Sequence, residues 1–224
     1  MLKYCLPFLI VILWACNKNE PKSIIYGYEY FPTEAGHYRV YQVMDIFHDE
    51  ALGNVHDTSI YQIKEVIGEM LIDEEGDTIQ KLRRYFREND TSVWNLQDVW
   101  TQKRTRTTAE VVEENKRRIK MVYAISYDQS WNGNALNNET AQNCYYDHIY
   151  ESYNSDYLSF DSTVVVEQMN FSSFIDYQRQ YEIYARNIGC IKVVNKQLEI
   201  DNADTTDIQY GTEIFYDLIE FGKE

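Results

Sequence analysis

From about residue 24 onward, runs rich in Tyr, Val and Ile recur every 10–15 residues, separated by short polar turns. That rhythm leaves little room for helices, which need longer uninterrupted periodic windows, and it is the spacing of an antiparallel β-protein. The predicted strands begin in 26–32 and 38–43, and continue through 59–67, 79–87, 93–103 and 116–126. After an irregular piece at 127–142 they resume in 144–151, 158–169, 177–186, 191–200 and 211–221. Turn chemistry falls between them, as in Asp73-Glu74-Glu75-Gly76-Asp77, Glu113-Glu114-Asn115 and Asn154-Ser155-Asp156. Residues 171–176 are read either as part of this pattern or as a short helix. The 20 Tyr and 9 Phe set against only 3 Pro favour strands over disorder. The prediction is a mainly β fold, a single antiparallel meander forming a curved sheet or open barrel. Within 93–103, Trp94, Leu96 and Trp100 share parity, which predicts that they share one face.

The start of the chain is of another kind. Lys3 precedes the apolar run Leu6-Pro7-Phe8-Leu9-Ile10-Val11-Ile12-Leu13, and Ala15 stands just before Cys16. A basic start, a short apolar stretch and a small residue at the cut are the parts of a secretory signal. The run is too short to span a bilayer, which takes about 20 apolar residues. With Leu13 three before the cysteine and Ala15 one before it, the segment resembles a bacterial lipoprotein box. The resemblance implies cleavage after Ala15 and lipid on Cys16, with two or more acyl chains giving stable attachment. Residues 1–15 are therefore expected to be a signal peptide, 16–23 a lipidated cysteine with a polar tether, and 24–224 one β-rich domain. The expected place is the bacterial cell envelope, with the outer membrane favoured, on its periplasmic or surface side.

A second resemblance lies in the domain itself. Tyr30-Phe31-Pro32, Gly36, Tyr38 and Tyr41 are similar to the opening of cell-envelope lipoproteins common in Bacteroidetes, in which Phe-Pro-Leu-x-x-Gly-Asn-x-Trp-x-Tyr recurs. Thr33, His37 and Tyr38 stand here in place of the Leu, Asn and Trp. The resemblance implies an envelope location and a β-rich fold, and it lends no activity.

Charge separates two regions. The whole chain carries 36 acidic and 21 basic residues, a balance that repels nucleic acid, which is excluded as a partner. Yet residues 81–120 hold eleven Lys and Arg against six acids. Arg83, Arg104, Arg106, Arg117, Arg118 and Lys120 are the candidate patch for an anionic partner; the competing reading is cross-strand pairing with Asp and Glu. Trp94, Trp100 and Trp131 are the candidate aromatic platform, with core packing as the alternative. His48 and His56 flank a turn with Asp49, Glu50 and Asp57, a set of imidazole and carboxylate groups whose geometry nothing in the sequence fixes. Asp201, Asp204 and Asp207 lack the glycine and distal Glu of a calcium loop, so no metal site and no cofactor is assigned. Cys144 and Cys190 are either a disulfide or two buried thiols.

Nucleophile elbows, zinc-protease helices and phosphate-binding glycine loops are all missing from the sequence. The expected function is non-catalytic binding at the membrane, of an anionic or amphipathic ligand or of an envelope protein. Alternatives are an accessory subunit of an outer-membrane complex and a carboxylate-dependent hydrolase.

Overall fold

The computed structural model describes residues 25–53 and 55–224. The signal segment, Cys16 and the tether over 16–23 lie outside the described residues. Residues Tyr28–Tyr30 form a 3-10 turn, where the sequence pattern predicted a first strand. Twelve strands follow. These are β1 (His37–Asp49), β2 (Val55–Ile72), β3 (Thr78–Arg87), β4 (Asn95–Arg104), β5 (Thr108–Glu113) and β6 (Lys116–Val122), then β7 (Ser130–Asn132), β8 (Asn143–Asn154), β9 (Ser159–Ser172), β10 (Asp176–Ala185), β11 (Gly189–Asp201) and β12 (Asp204–Lys223).

All twelve join one antiparallel sheet in the order β6-β5-β4-β3-β2-β1-β12-β11-β10-β9-β8-β7. Consecutive strands are neighbours, and the first strand pairs with the last from His37↔Lys223 to Asp49↔Tyr210. The meander is thus a nearly closed barrel whose seam lies between β6 and β7. Across the seam, Ile119 N donates to the Gly133 carbonyl at 2.9 Å and Trp131 Nε1 to the Ile119 carbonyl at 3.0 Å. A closed sheet leaves few edge groups unpaired, which removes a template for aggregation.

Antiparallel order sorts the connections into two ends. One end carries residues 73–77, 105–107, 123–129, 155–158 and 186–188, together with the entry of the chain into β1. Here the segment from Tyr26 to Thr33 lies across the barrel as a plug. Ala124 N and Asn187 N donate to the Tyr26 and Glu29 carbonyls. Arg104 Nη1 donates to the carbonyls of Tyr28 and Phe31, and Gln102 and Gln80 to those of Pro32 and Thr33. The aromatic side chains of Tyr30 and Phe31 are buried in the core with Met121, Trp131, Tyr146 and Val164. In β8, His148 and Tyr150 adopt positive φ angles of 44° and 63°. The resulting break in register lets Tyr150 stack on Tyr30 at 6.0 Å.

Two details differ from the sequence pattern. Residues 171–176 form the ends and turn of the β9–β10 hairpin rather than a helix. In β4, the pairing moves from Arg84↔Asp98 to Tyr85↔Leu96, so Gln97 is an extra residue. A bulge of this kind reverses parity along a strand. Leu96 therefore stands outward at 56% exposure, while Trp100 points into the barrel, and the expected shared face does not form.

The outer surface carries ion pairs among scattered exposed apolar side chains such as Met44, Ile60 and Val99. Tyr41, Glu65, Arg84, Gln102, Glu182 and Asn195 line the interior, so by alternation Lys64, Lys81, Arg83, Lys103, Arg179 and Lys196 stand outward. Each has a carboxylate partner within salt-bridge range. A barrel surrounded by lipid carries an apolar outward band instead.

Candidate polar cavity within the barrel

The interior holds a cavity of about 370 Å³. Its floor is Phe31 of the plug, with Arg39, Tyr41 and Tyr184 above it, all at most 8% exposed. Its other limit, toward the opposite end of the barrel, is set by Gln142, Gln168, Gln180, Asn195 and Gln197, which are partly or fully exposed. Burial thus declines from plug to mouth, and the cavity opens at the end away from the chain's entry.

Side chains of opposite charge alternate around its wall. Arg39 Nη2 donates to Glu65 Oε2 at 2.9 Å, and Arg84 Nε lies 3.3 Å from Glu65 Oε1. Lys120 sits between Glu113 at 3.1 Å and Glu182 at 2.8 Å, and Arg118 reaches Glu113 at 3.1 Å. The guanidinium of Arg84 lies 3.8 Å from the ring centre of Trp100. Amides complete the lining: Gln142 Nε2 donates to Gln180 Oε1 at 3.0 Å.

These contacts fix the charge states. Burial alone would raise the Glu182 carboxyl, but Lys120 and hydrogen bonds from Lys120, Tyr184 and Gln168 hold it below its ordinary range. Burial alone would lower the Lys120 ammonium, yet Glu113 and Glu182 more than reverse this and hold it above its ordinary range. The Tyr184 hydroxyl is pushed far up by burial and then by the Glu182 carboxylate. Lys120 and Glu182 therefore face each other as a charged pair at ordinary pH. Replacing such pairs by apolar side chains is often neutral or stabilising, so stability alone gives no reason for them.

Of the six basic residues singled out by sequence, only Arg118 and Lys120 line the cavity. Arg83 stands on the outer surface with Glu69, and Arg117 bonds Glu110 and Glu75. Arg104 serves the plug, with its guanidinium 5.7 Å from the ring centre of Tyr28, and Arg106 is exposed in the turn between β4 and β5. The six do not form one patch. Within 81–120 every Lys and Arg except Arg104 and Arg106 is paired with a carboxylate.

The three tryptophans are likewise dispersed. Trp100 lines the cavity, Trp94 precedes β4 with Arg87 at 4.3 Å from its ring, and Trp131 is packed on Tyr146 at the seam. His48 and His56 do meet, Nδ1 to Nδ1 at 2.7 Å, but His48 Nε2 is taken by Glu213 at 3.1 Å. Both ring nitrogens of His48 are thereby engaged. Cys144 and Cys190 are free thiols. Burial pushes Cys144 up to about 11 and Cys190 up as well.

Sequence reasoning missed Arg39, Glu65, Arg84, Glu113, Glu182 and the amides as a group. The available signal was parity: Arg39 shares its face with Tyr41 and Val43, and Glu182 with Tyr184, all of them buried. Comparison with protein-family models, with curated proteins and with solved structures finds no match for this chain.

Proposed function

We propose that this protein is a lipid-anchored envelope protein that binds a small polar ligand inside its barrel, without catalysis. The observation that carries the reading is the cavity itself, whose wall is ion pairs and amides where apolar filling would have served the fold. Its volume lies at the lower end of the range for small-molecule sites, about 300–1,000 Å³. The alternation of donors and acceptors argues against the amphipathic ligand expected from sequence, because an apolar chain would leave buried polar groups without partners. It also argues against hydrolysis. A carboxylate pair working as acid and base needs one carboxyl with a raised pKa, and Glu182 is held low by Lys120 and its other partners.

The anchor gives the reading its place. Cys16 and Ile25 are nine residues apart, so an extended tether of roughly 30 Å would join the lipid to the plugged end. The mouth would then face away from the membrane. Native mass spectrometry of the full-length protein, extracted gently from its own envelope, tests the binding. A stoichiometric small-molecule adduct is expected; a bare mass, or a stoichiometric protein partner with no adduct, would overturn it and favour an accessory subunit.

A further inference from the structure

We infer that the ligand of this cavity is an uncharged, polyhydroxylated molecule of mono- to disaccharide size, a claim that rests on the interior-binding reading above. The charges decide the class first. Arg39 and Arg84 share Glu65, with Asp98 at 3.7 Å from Arg84 as the second carboxylate, and Lys120 and Arg118 are matched by Glu113 and Glu182. An anion or cation entering this wall has to split one of these pairs and leave a buried partner uncompensated, and breaking a buried pair in that way is strongly unfavourable.

A neutral hydroxyl avoids that cost, because the paired groups keep unused hydrogen-bonding capacity. A guanidinium has five N–H donors and a carboxylate about four acceptor sites. Arg84 Nε is buried and makes no hydrogen bond among the described residues, although Glu65 and Asp98 balance its charge. The amides near the mouth bond each other once, Gln142 to Gln180 and Gln197 to Asn195. Among the described residues, that leaves the carbonyls of Gln142 and Gln197, and the amino groups of Gln180 and Asn195, free to serve a guest. Each hydroxyl of a sugar both donates and accepts, which is the combination this wall offers. Leu82, Val111 and Val193 line the same space and supply apolar contact for the C–H faces of a ring.

The test uses the folded chain in solution and reads the Nε–H resonance of Arg84 and the indole N–H of Trp100 by NMR. The probes are glucose, galactose, sucrose and trehalose as neutral polyols, citrate as an anion, and decanoate as an amphiphile. A saturable shift of both cavity resonances with at least one neutral sugar is expected, while the outward Nε–H of Arg83 stays in place. The variant Gln180→Leu should weaken that binding about tenfold, the weight of a hydrogen bond or two. Gln142→Leu, at the partly exposed mouth, repeats the measurement should the first variant perturb the fold. Binding of citrate or decanoate alone overturns the ligand class and leaves interior binding standing. Silence from every probe also overturns the class, and the adduct measurement then decides interior binding by itself.

Discussion

Lys120 is the residue on which its side of the cavity wall balances, since it stands between two carboxylates, Glu113 and Glu182. Replacing it by Met removes the counter-charge of the buried Glu182 and leaves it facing the half-buried Glu113, which keeps Arg118. The expected loss is about 3–5 kcal/mol, read as a lowered urea midpoint. Lys120→Met combined with Glu182→Gln should recover a large part of it; no recovery would mean that packing, not charge, is at stake. The same pair predicts a pH dependence. Glu182 is held below its ordinary value of 4.5, so its stabilising contribution is complete above that value and is lost as pH falls through the folded-state value. The wild-type chain should lose more stability than Glu182→Gln over that acid window, and parallel profiles would refute the assignment. None of this was legible from composition. The sequence marked Lys120 as one of many basic residues in 81–120, and only the β6 register separates it and Arg118, facing inward, from Arg117, which bonds Glu110 and Glu75.

At the scale of elements, the plug from Tyr26 to Thr33 is the piece with the most to explain. The run Tyr26-Gly27-Tyr28-Glu29-Tyr30-Phe31 reads as a strand because its aromatics have high β-propensity. It folds instead as a turn because its carbonyls find partners on the barrel floor, Arg104 and Gln102 among them. Tertiary bonding overrides local preference there. Strands β2, β3 and β8 to β12 were legible because their apolar and polar residues alternate between the two faces of the sheet. The six-residue β5 was not, since it sits between a threonine-rich turn and Glu113-Glu114-Asn115 and is too short to set a period. Likewise β7 is only three residues long and owes its place to the seam bonds of Trp131 and Gly133. The plug's role is open to measurement through the amides it protects. Phe31→Ala removes a ring from the cavity floor, at a cost of about 3–5 kcal/mol. Hydrogen exchange should then accelerate first at Ala124 and Asn187, whose N–H groups bond Tyr26 and Glu29, while the β1–β12 amides keep their protection. Acceleration spread evenly over the sheet would mean that the plug is an integral part of the barrel's cooperative unit.

On the scale of the whole molecule, sequence and structure meet in orientation. The barrel has a closed end where the chain enters and an open end roughly the length of β1 away, about 43 Å for its 13 residues. A lipid on Cys16 would hold the closed end within reach of the bilayer, and Cys16→Ala should release the chain from the membrane fraction. Orientation is tested with two single labels on the lipidated protein in vesicles. Tyr157 is 54% exposed, between β8 and β9 at the closed end, and Phe174 is 74% exposed, between β9 and β10 at the mouth. Cys144 and Cys190 have raised thiol pKa values through burial, so new cysteines at 157 and 174 should take a maleimide dye ahead of them. With a quencher attached to lipid headgroups, the dye on Tyr157→Cys should be quenched more strongly than the dye on Phe174→Cys. Equal quenching would mean that the barrel lies on its side or tumbles freely on its tether. The reverse order would turn the mouth toward the membrane, and a ligand drawn from the bilayer surface would then replace one drawn from the surrounding water.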